Sequence, residues 1–270
     1  MDRHAGYELL LVLLSVTVFF AYHLWLFWGR SFVTRHRKGH FNIWETNKAA
    51  RQVWAEDVAQ DSRDALQTYG IQTLRNAITA SSFLATTCAL IAVQGLLPVL
   101  FDVTRIARID QLRKSDPITH GATIMNSTWK IAIAELTIWF SFLCFTQSIR
   151  MMVHLGFLLK VVASPLNKGK FFTIEEVVAL SLRATIMFTA GLRAFYAFLP
   201  LIAWLFGPTA MFVSTVLLVF SLYITDSIPK EPLWQLPESY RKAQDDIEAQ
   251  AVKASGSSSS NASHLHRRHK

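Results

Sequence analysis

Trp129–Ile149, WKIAIAELTIWFSFLCFTQSI, decides the fold class. An α-helix rising 1.5 Å per residue needs about twenty residues to cross a hydrocarbon core ~30 Å thick, and this stretch supplies them with only Lys130 and Glu135 charged. Three more stretches have the same character: Tyr7–Trp28, Ala77–Leu100 and Phe195–Ile224. They predict an all-α, polytopic membrane helical bundle of four transmembrane helices with interfacial or re-entrant helices beside them. The membrane domain is expected over 1–226, and the polar, Ser-rich segment 227–270 is expected to be a largely disordered tail. Composition agrees: 51% of residues are hydrophobic and the mean hydropathy is +0.28, while the charged residues gather in the connecting segments.

The first stretch is too long for the apolar part of a cleavable signal peptide, and no small-x-small site follows it, so it reads as a retained anchor. Trp25, Phe27 and Trp28 followed by Arg30, Arg35, Arg37 and Lys38 form an aromatic belt and then a basic cluster. Counting Lys and Arg alone, and in the C-terminal segment only Lys230, Arg241 and Lys242 near the last helix, the first and third connections hold fourteen against eight on the opposite side. Those two connections are therefore expected to be cytosolic, with both termini on the other side. The sequons at Asn126 and Asn261 read as chance matches.

Between the first two spans, Thr46 can cap a helix in which Ala50, Val53, Trp54 and Val58 share a face. Such a helix either lies in the interface or packs on the bundle. Ala77, Ser81, Ala85 and Ala89 recur every four residues in the second span. Ala134, Thr137, Ser141, Cys144 and Ser148 do much the same in the third, so the two stripes are expected to meet. Cys88 and Cys144 read as small apolar groups.

A charge inside a span needs a partner or a water path. Lys130 is near enough to a helix end to snorkel outward, and its angular offset from Glu135 argues against a pair between them. Glu135 is deeper, with Arg75, Gln94 and His23 as candidate partners; together with Lys130 it makes a candidate intramembrane polar site. Pro200 and Gly207-Pro208 interrupt the last run and predict a kink or a broken helix. Before it, Thr173-Ile-Glu-Glu176 matches a capping box opening a helix over Val177–Thr189 that ends near Gly191. That helix is interfacial, re-entrant or a fifth span, and a fifth crossing would move the C-terminus to the other side.

The strings Thr46-Asn-Lys-Ala-Ala-Arg-Gln-Val-Trp54, Gln72-Thr-Leu-Arg-Asn76 leading into Ala85-Thr-Thr87, Ser148-Ile-Arg150, and Gly191-Leu-Arg-Ala-Phe-Tyr-Ala-Phe-Leu-Pro200 through Trp204-Leu-Phe-Gly-Pro208 together resemble the integral-membrane family called domain of unknown function 599, found in land plants and bacteria. The resemblance covers roughly 8–226. It implies a multi-spanning membrane protein with no established reaction, substrate or cofactor. It also directs attention to Arg51, Arg75, Arg150 and Arg193. These are expected near the cytosolic interface, either as a rim that binds anionic lipid headgroups or as topological anchors.

No paired carboxylates, nucleophile–base pair, metal-ligand spacing or phosphate-cradling glycine loop appears, so an enzyme is not expected and no cofactor is called. The nine histidines show no metal spacing; at most the tail binds a divalent ion weakly. Two classes remain. The first is a membrane scaffold, interaction or lipid-binding protein of the plasma membrane or an endomembrane, whose partners are the bilayer, anionic headgroups or further copies of itself, with no nucleic acid. The second is an oligomeric conduit for ions or small solutes.

Overall fold

Apolar length makes the helices of this chain, and polar punctuation ends them. The computed structural model describes residues 3–26, 40–60, 64–121, 124–162, 164, 167 and 171–229. Within them lie α1 (Arg3–Leu24), α2 (Ile43–Gln60), α3 (Asp64–Leu90), α4 (Val103–Arg113), α5 (Ser127–Val162), α6 (Ile174–Ala203) and α7 (Pro208–Asp226), with short strands β1 (His40–Asn42) and β2 (Ser227–Pro229) forming a two-stranded sheet. The basic cluster at Arg30–Lys38, Asn261 and the Ser-rich segment fall outside the described residues. After Leu90, α3 continues through a π-helical turn, Ile91–Leu96, into a last α-turn, Leu97–Leu100. Pro98 has no N–H and would crowd the carbonyl four residues back; the wider π turn relieves that conflict.

The protein is an all-α bundle, and five of its helices are long and apolar enough to cross a membrane: Gly6–Leu24, Thr68–Leu100, Ser127–Val162, Ile174–Ala203 and Pro208–Asp226. The four-span expectation is corrected at the last run. Residues 195–224 break at Gly207-Pro208, as expected, but the two parts belong to different spans. Their first part is the end of α6, which begins at the expected capping box of Thr173 and Glu176 and runs on past Gly191 to Ala203. Trp204–Phe206 then turn, Gly207 takes φ +146°, and Pro208 opens α7, where its missing donor costs nothing.

Gly191 is a contact point instead of a helix end. A Cβ there would stand 3.1 Å from Cys144 Cβ and from the Phe145 ring, so its absence lets α6 press against α5. Two hydroxyls fasten the same seam: Ser141 Oγ donates to the Gly191 carbonyl and Ser148 Oγ to the Ala184 carbonyl, each at 2.8 Å. The expected contact between α3 and α5 is also present, with Ser81, Ala85 and Cys88 buried on one side, Ala134 and Ser141 on the other, and Cys88 Sγ 3.5 Å from Ser141 Oγ. The small-residue stripe of α5 thus serves two neighbours, and α5 is the centre of the bundle. At 36 residues it is about 54 Å long, well beyond a ~30 Å hydrocarbon core.

The overhanging ends of α5 and α6 carry α2. Ala55, Val58 and Ala59 pack with Leu155, Leu158, Leu159 and Val177 in one buried cluster. The helix therefore packs on the bundle. Its buried face is one step round from the expected one, since Ala50 and Val53 are exposed.

At the opposite end, one carboxylate closes the turn between α6 and α7. Asp116, in the connection after α4, accepts hydrogen bonds from the N–H groups of Ile118, Thr119 and Thr209 and from the hydroxyls of Thr119 and Thr209. Burial pushes its pKa up, but the N–H donors of Thr119 and Ile118 and the two hydroxyls prevail and hold it below the usual carboxylate range. Gly207 lies against it so closely that a Cβ would overlap the carboxylate. Gly207→Ala meets both this overlap and an unfavourable φ, and should cost about 1–3 kcal/mol. A carboxyl whose folded pKa is depressed contributes stability that is complete above its unfolded value of ~3.9 and fades as pH falls through the folded value. The stability gap between the protein and Asp116→Asn, read from thermal melts, should be full at neutral pH and close only below about pH 4. A gap unchanged between pH 7 and 3 would overturn this role for Asp116.

Candidate functional site

Burying an ion without a partner costs several kcal/mol, so the buried charges show where the helices are committed to one another. Lys130 does not snorkel. Its side chain is fully buried and Nζ donates to Glu8 Oε1 at 2.8 Å, with Glu8 itself 2% exposed. Glu8 Oε2 also accepts the Ile124 N–H, and Lys130 Nζ stands 4.7 Å over the Trp204 ring. The physical reason for the inward turn is that α1 brings an anion to the same level. A buried pair with hydrogen bonds on both members is cheaper than an ammonium pulled along the bundle surface. Beside it, Arg113 bonds Asp110 at 3.0 Å and Ser127 Oγ at 3.1 Å, which ties α4 to the start of α5.

Glu135 remains separate from Lys130, as its angular position implies. It accepts from Trp139 Nε1 on its own helix at 2.8 Å, its other oxygen has no hydrogen-bond partner, and none of Arg75, Gln94 and His23 reaches it.

The second buried pair lies toward the other end. Arg193 Nη2 donates to both oxygens of Asp226, at 2.9 and 2.7 Å, and the Tyr22 hydroxyl donates to Oδ2 at 2.6 Å. Three helices, α6, α7 and α1, therefore meet on one carboxylate. Tyr22, Leu26 and Leu222 form a buried apolar patch there with Tyr196 packed against it, and Trp25 stacks near Tyr223. Nε and Nη1 of Arg193 are buried without an acceptor.

Arg193 also lies in the wall of a cavity of about 530 Å³ between α1, α5, α6 and α7. Its walls are chiefly apolar. Ala190, Ala194 and Ala197 leave the space along α6, and Ser15, Thr137, Thr215 and His23 are the other polar residues on it. Val16, Phe20 and Phe140 line the cavity and are exposed on the outer face of the bundle, so it opens sideways between helices.

The four arginines are not one rim. Arg193 is inside the bundle, Arg75 and Arg150 are exposed, and Arg51 is half-buried beside Trp54 in the wall of a smaller cavity of about 250 Å³ under α2. Glu8, Asp116 and Asp226 went unnoticed in the sequence. For Glu8 and Asp226 the visible sign was an acid at the end of an apolar run, which is as informative as a base there; Asp116, in the polar stretch 113–117, carried no such sign. Among the described residues no three His, Cys, Asp or Glu side chains come together as a metal site, and Cys88 and Cys144 are buried and free.

The family model for proteins of unknown function, DUF599, matches residues 10–230, a span that takes in both buried ion pairs except Glu8. The chain belongs to the DUF599 family. Comparison with curated proteins found no match, and neither did comparison with solved structures. In this DUF599 protein the matched region contains the cavity, the Arg193–Asp226 pair and the Asp116 turn.

The Lys130–Glu8 pair yields a double-mutant expectation. Lys130→Met strands a buried carboxylate and should cost about 3–5 kcal/mol, whereas Lys130→Met with Glu8→Gln should recover most of that loss. Equal destabilisation by the single and double variants in detergent melts would mean that the two side chains do not act as a pair.

Proposed function

We infer that this multi-pass membrane protein binds a lipid or a lipid-like apolar molecule in the cavity between α1, α5, α6 and α7. The observation that supports the reading is the cavity itself. Its ~530 Å³ lies within the ~300–1,000 Å³ range of ligand pockets, its walls are apolar with a few polar groups, and it opens on the surface that faces acyl chains. Water gains little in such a space, because it needs several polar partners, while an acyl chain from the bilayer fills it without losing any hydrogen bond. Three alanines on one face of α6 keep it open, at positions where a larger side chain would close it.

Binding should therefore respond to volume at that face. Ala194→Phe should reduce binding of a fluorescent fatty-acyl probe, and the amount of lipid that co-purifies, with little change in melting temperature because the residue fills existing space. Wild-type binding in well-folded Ala194→Phe and Ala197→Phe variants would refute the reading.

The five helices also support an orientation. If each crosses once, residues 25–67, 163–173 and 227–270 share a side and hold sixteen Lys and Arg, against five on the other side. The expectation that both termini lie opposite the cytosol rested on four crossings; five place them on opposite sides, with the basic side cytosolic. Single cysteines replacing Lys114, Lys168 and Lys253, in a background lacking Cys88 and Cys144, should label the second and third from the same side and Lys114 from the other. Labelling of Lys253 together with Lys114 would return the count to four.

A further inference from the structure

Among the described residues Arg51 stands apart from the other Lys and Arg side chains. It is half-buried on α2, it has neither an ion pair nor a hydrogen bond to a described residue, and no carboxylate lies in the wall of the cavity beside it. Burial lowers its pKa from the ordinary value, and no acid offsets that effect. Every other Lys or Arg that is not exposed among the described residues has an anion: Lys130 has Glu8, Arg113 has Asp110 and Arg193 has Asp226. A guanidinium that is partly desolvated and lacks a counter-ion is the arrangement an anionic ligand completes.

The space beside it has the complementary shape for the rest of such a ligand. The cavity of about 250 Å³ runs between α2, α3, α5 and α6, walled by Leu74, Ala77, Met152, Leu155 and Ala184, with the buried Ser181 as one of its few polar residues and Trp54 at its side. Met152 and Leu155 are seven to ten residues from the end of α5, and Ser181 and Ala184 are the same distance from the start of α6, which is roughly 10–15 Å along either axis. Helices of about 54 and 45 Å exceed a ~30 Å core by about 24 and 15 Å over both ends together, and α2 packed on this end takes up much of that excess here, which puts the cavity near the boundary between acyl chains and headgroups. Trp54 is the residue type expected at that level. The surrounding side is also the basic one, where anionic lipids are held most readily.

We propose that Arg51 and the cavity under α2 form a site for the phosphate of an anionic lipid, the headgroup on the guanidinium fork and the start of an acyl chain against Leu74, Ala77 and Leu155. The site is separate from the larger cavity and does not depend on what fills that one. The same phosphate chemistry could come from a soluble phosphate compound, which would use Arg51 but not the apolar wall.

The test is native mass spectrometry of the full-length protein in detergent, titrated with phosphatidylglycerol, phosphatidylcholine and, separately, inorganic phosphate. The wild type should prefer phosphatidylglycerol over phosphatidylcholine, and Arg51→Gln should reduce that preference about tenfold, the loss of one charge-assisted contact. Arg51→Lys should fall between the two. Arg105→Gln, which removes an exposed guanidinium on α4, should leave the preference intact. Ala77→Phe, which fills the cavity and keeps the charge, should weaken the lipid. If Ala77→Phe leaves lipid binding unchanged while inorganic phosphate competes it away, the lipid source is overturned and a soluble phosphate compound takes its place. An unaltered preference in Arg51→Gln, or in Arg51→Lys should the Gln variant not fold, overturns the site.

Discussion

The bundle depends on the pairing of charges that its own apolar surroundings make expensive. Lys130 with Glu8 and Arg193 with Asp226 join residues 122 and 33 apart in sequence, and each pair fixes which helices meet and at what level. Apolar packing in lipid is weakly directional, since a helix finds acyl chains about as acceptable as another helix. A buried ammonium is far less tolerant. Sliding α1 past α5 by one turn would separate Lys130 from Glu8 and expose both to hydrocarbon, so the pair selects one register from many similar packings. At the other end Asp226 does the same for α1, α6 and α7 at once, with Tyr22 and Arg193 both directed at it. Between those two levels the contacts are small residues and hydroxyls, which permit closeness and say little about register.

This division explains what can be read in the sequence. Helix class and approximate span positions follow from apolar length, and the α3–α5 stripe follows from a period of four, because both are local properties. The capping box at Thr173 is local too, and it is where it was expected. The two-sided role of the α5 stripe was not legible, because Ser141 reaches a carbonyl 50 residues away and nothing near it announces that. Gly191 illustrates the same limit. Glycine after an apolar run reads as a helix end when only the chain is considered, yet here a neighbouring helix needs the missing Cβ. Gly191, Pro200 and Gly207-Pro208 all read as breaks in the chain; α6 runs through the first two, and the turn at Gly207 is the one that Pro208 and the bonds to Asp116 close.

The candidate sites follow the same rule from the other direction. Arginines were singled out as a group because they share a residue type and a family pattern, but the fold sorts them by partner. Arg193 is consumed in holding three helices together, and Arg75 and Arg150 are exposed. Arg51 is left as the half-buried base without an anion among the described residues. Glu135, deep in its span, is satisfied in part by Trp139 one turn away, a bond within its own helix instead of between helices. The informative quantity was the balance of buried cations and anions. Glu8 balances Lys130 and Asp226 balances Arg193, Glu135 stands in the core without a base, and the half-buried guanidinium without an anion among the described residues is under α2.

Where the cavities lie is a consequence of these same constraints. Charges and serines fasten the helices at particular levels, and the alanines of α6 are left facing space where no neighbour is pulled close. In water such a void would be a loss of packing to be filled by selection for larger side chains. Beside acyl chains that reasoning changes, because a lipid solvent can itself supply missing methylenes, and the cavity opens sideways between Val16, Phe20 and Phe140. A membrane protein can therefore keep a lateral cavity at little cost in stability provided its ends are held by something stronger than dispersion. The Tyr22–Asp226–Arg193 junction holds one end and the Lys130–Glu8 pair the other. The ion pairs and the open space are thus two aspects of one arrangement: rigid levels at either end of the bundle, and between them a wall whose small residues leave room for what the bilayer provides.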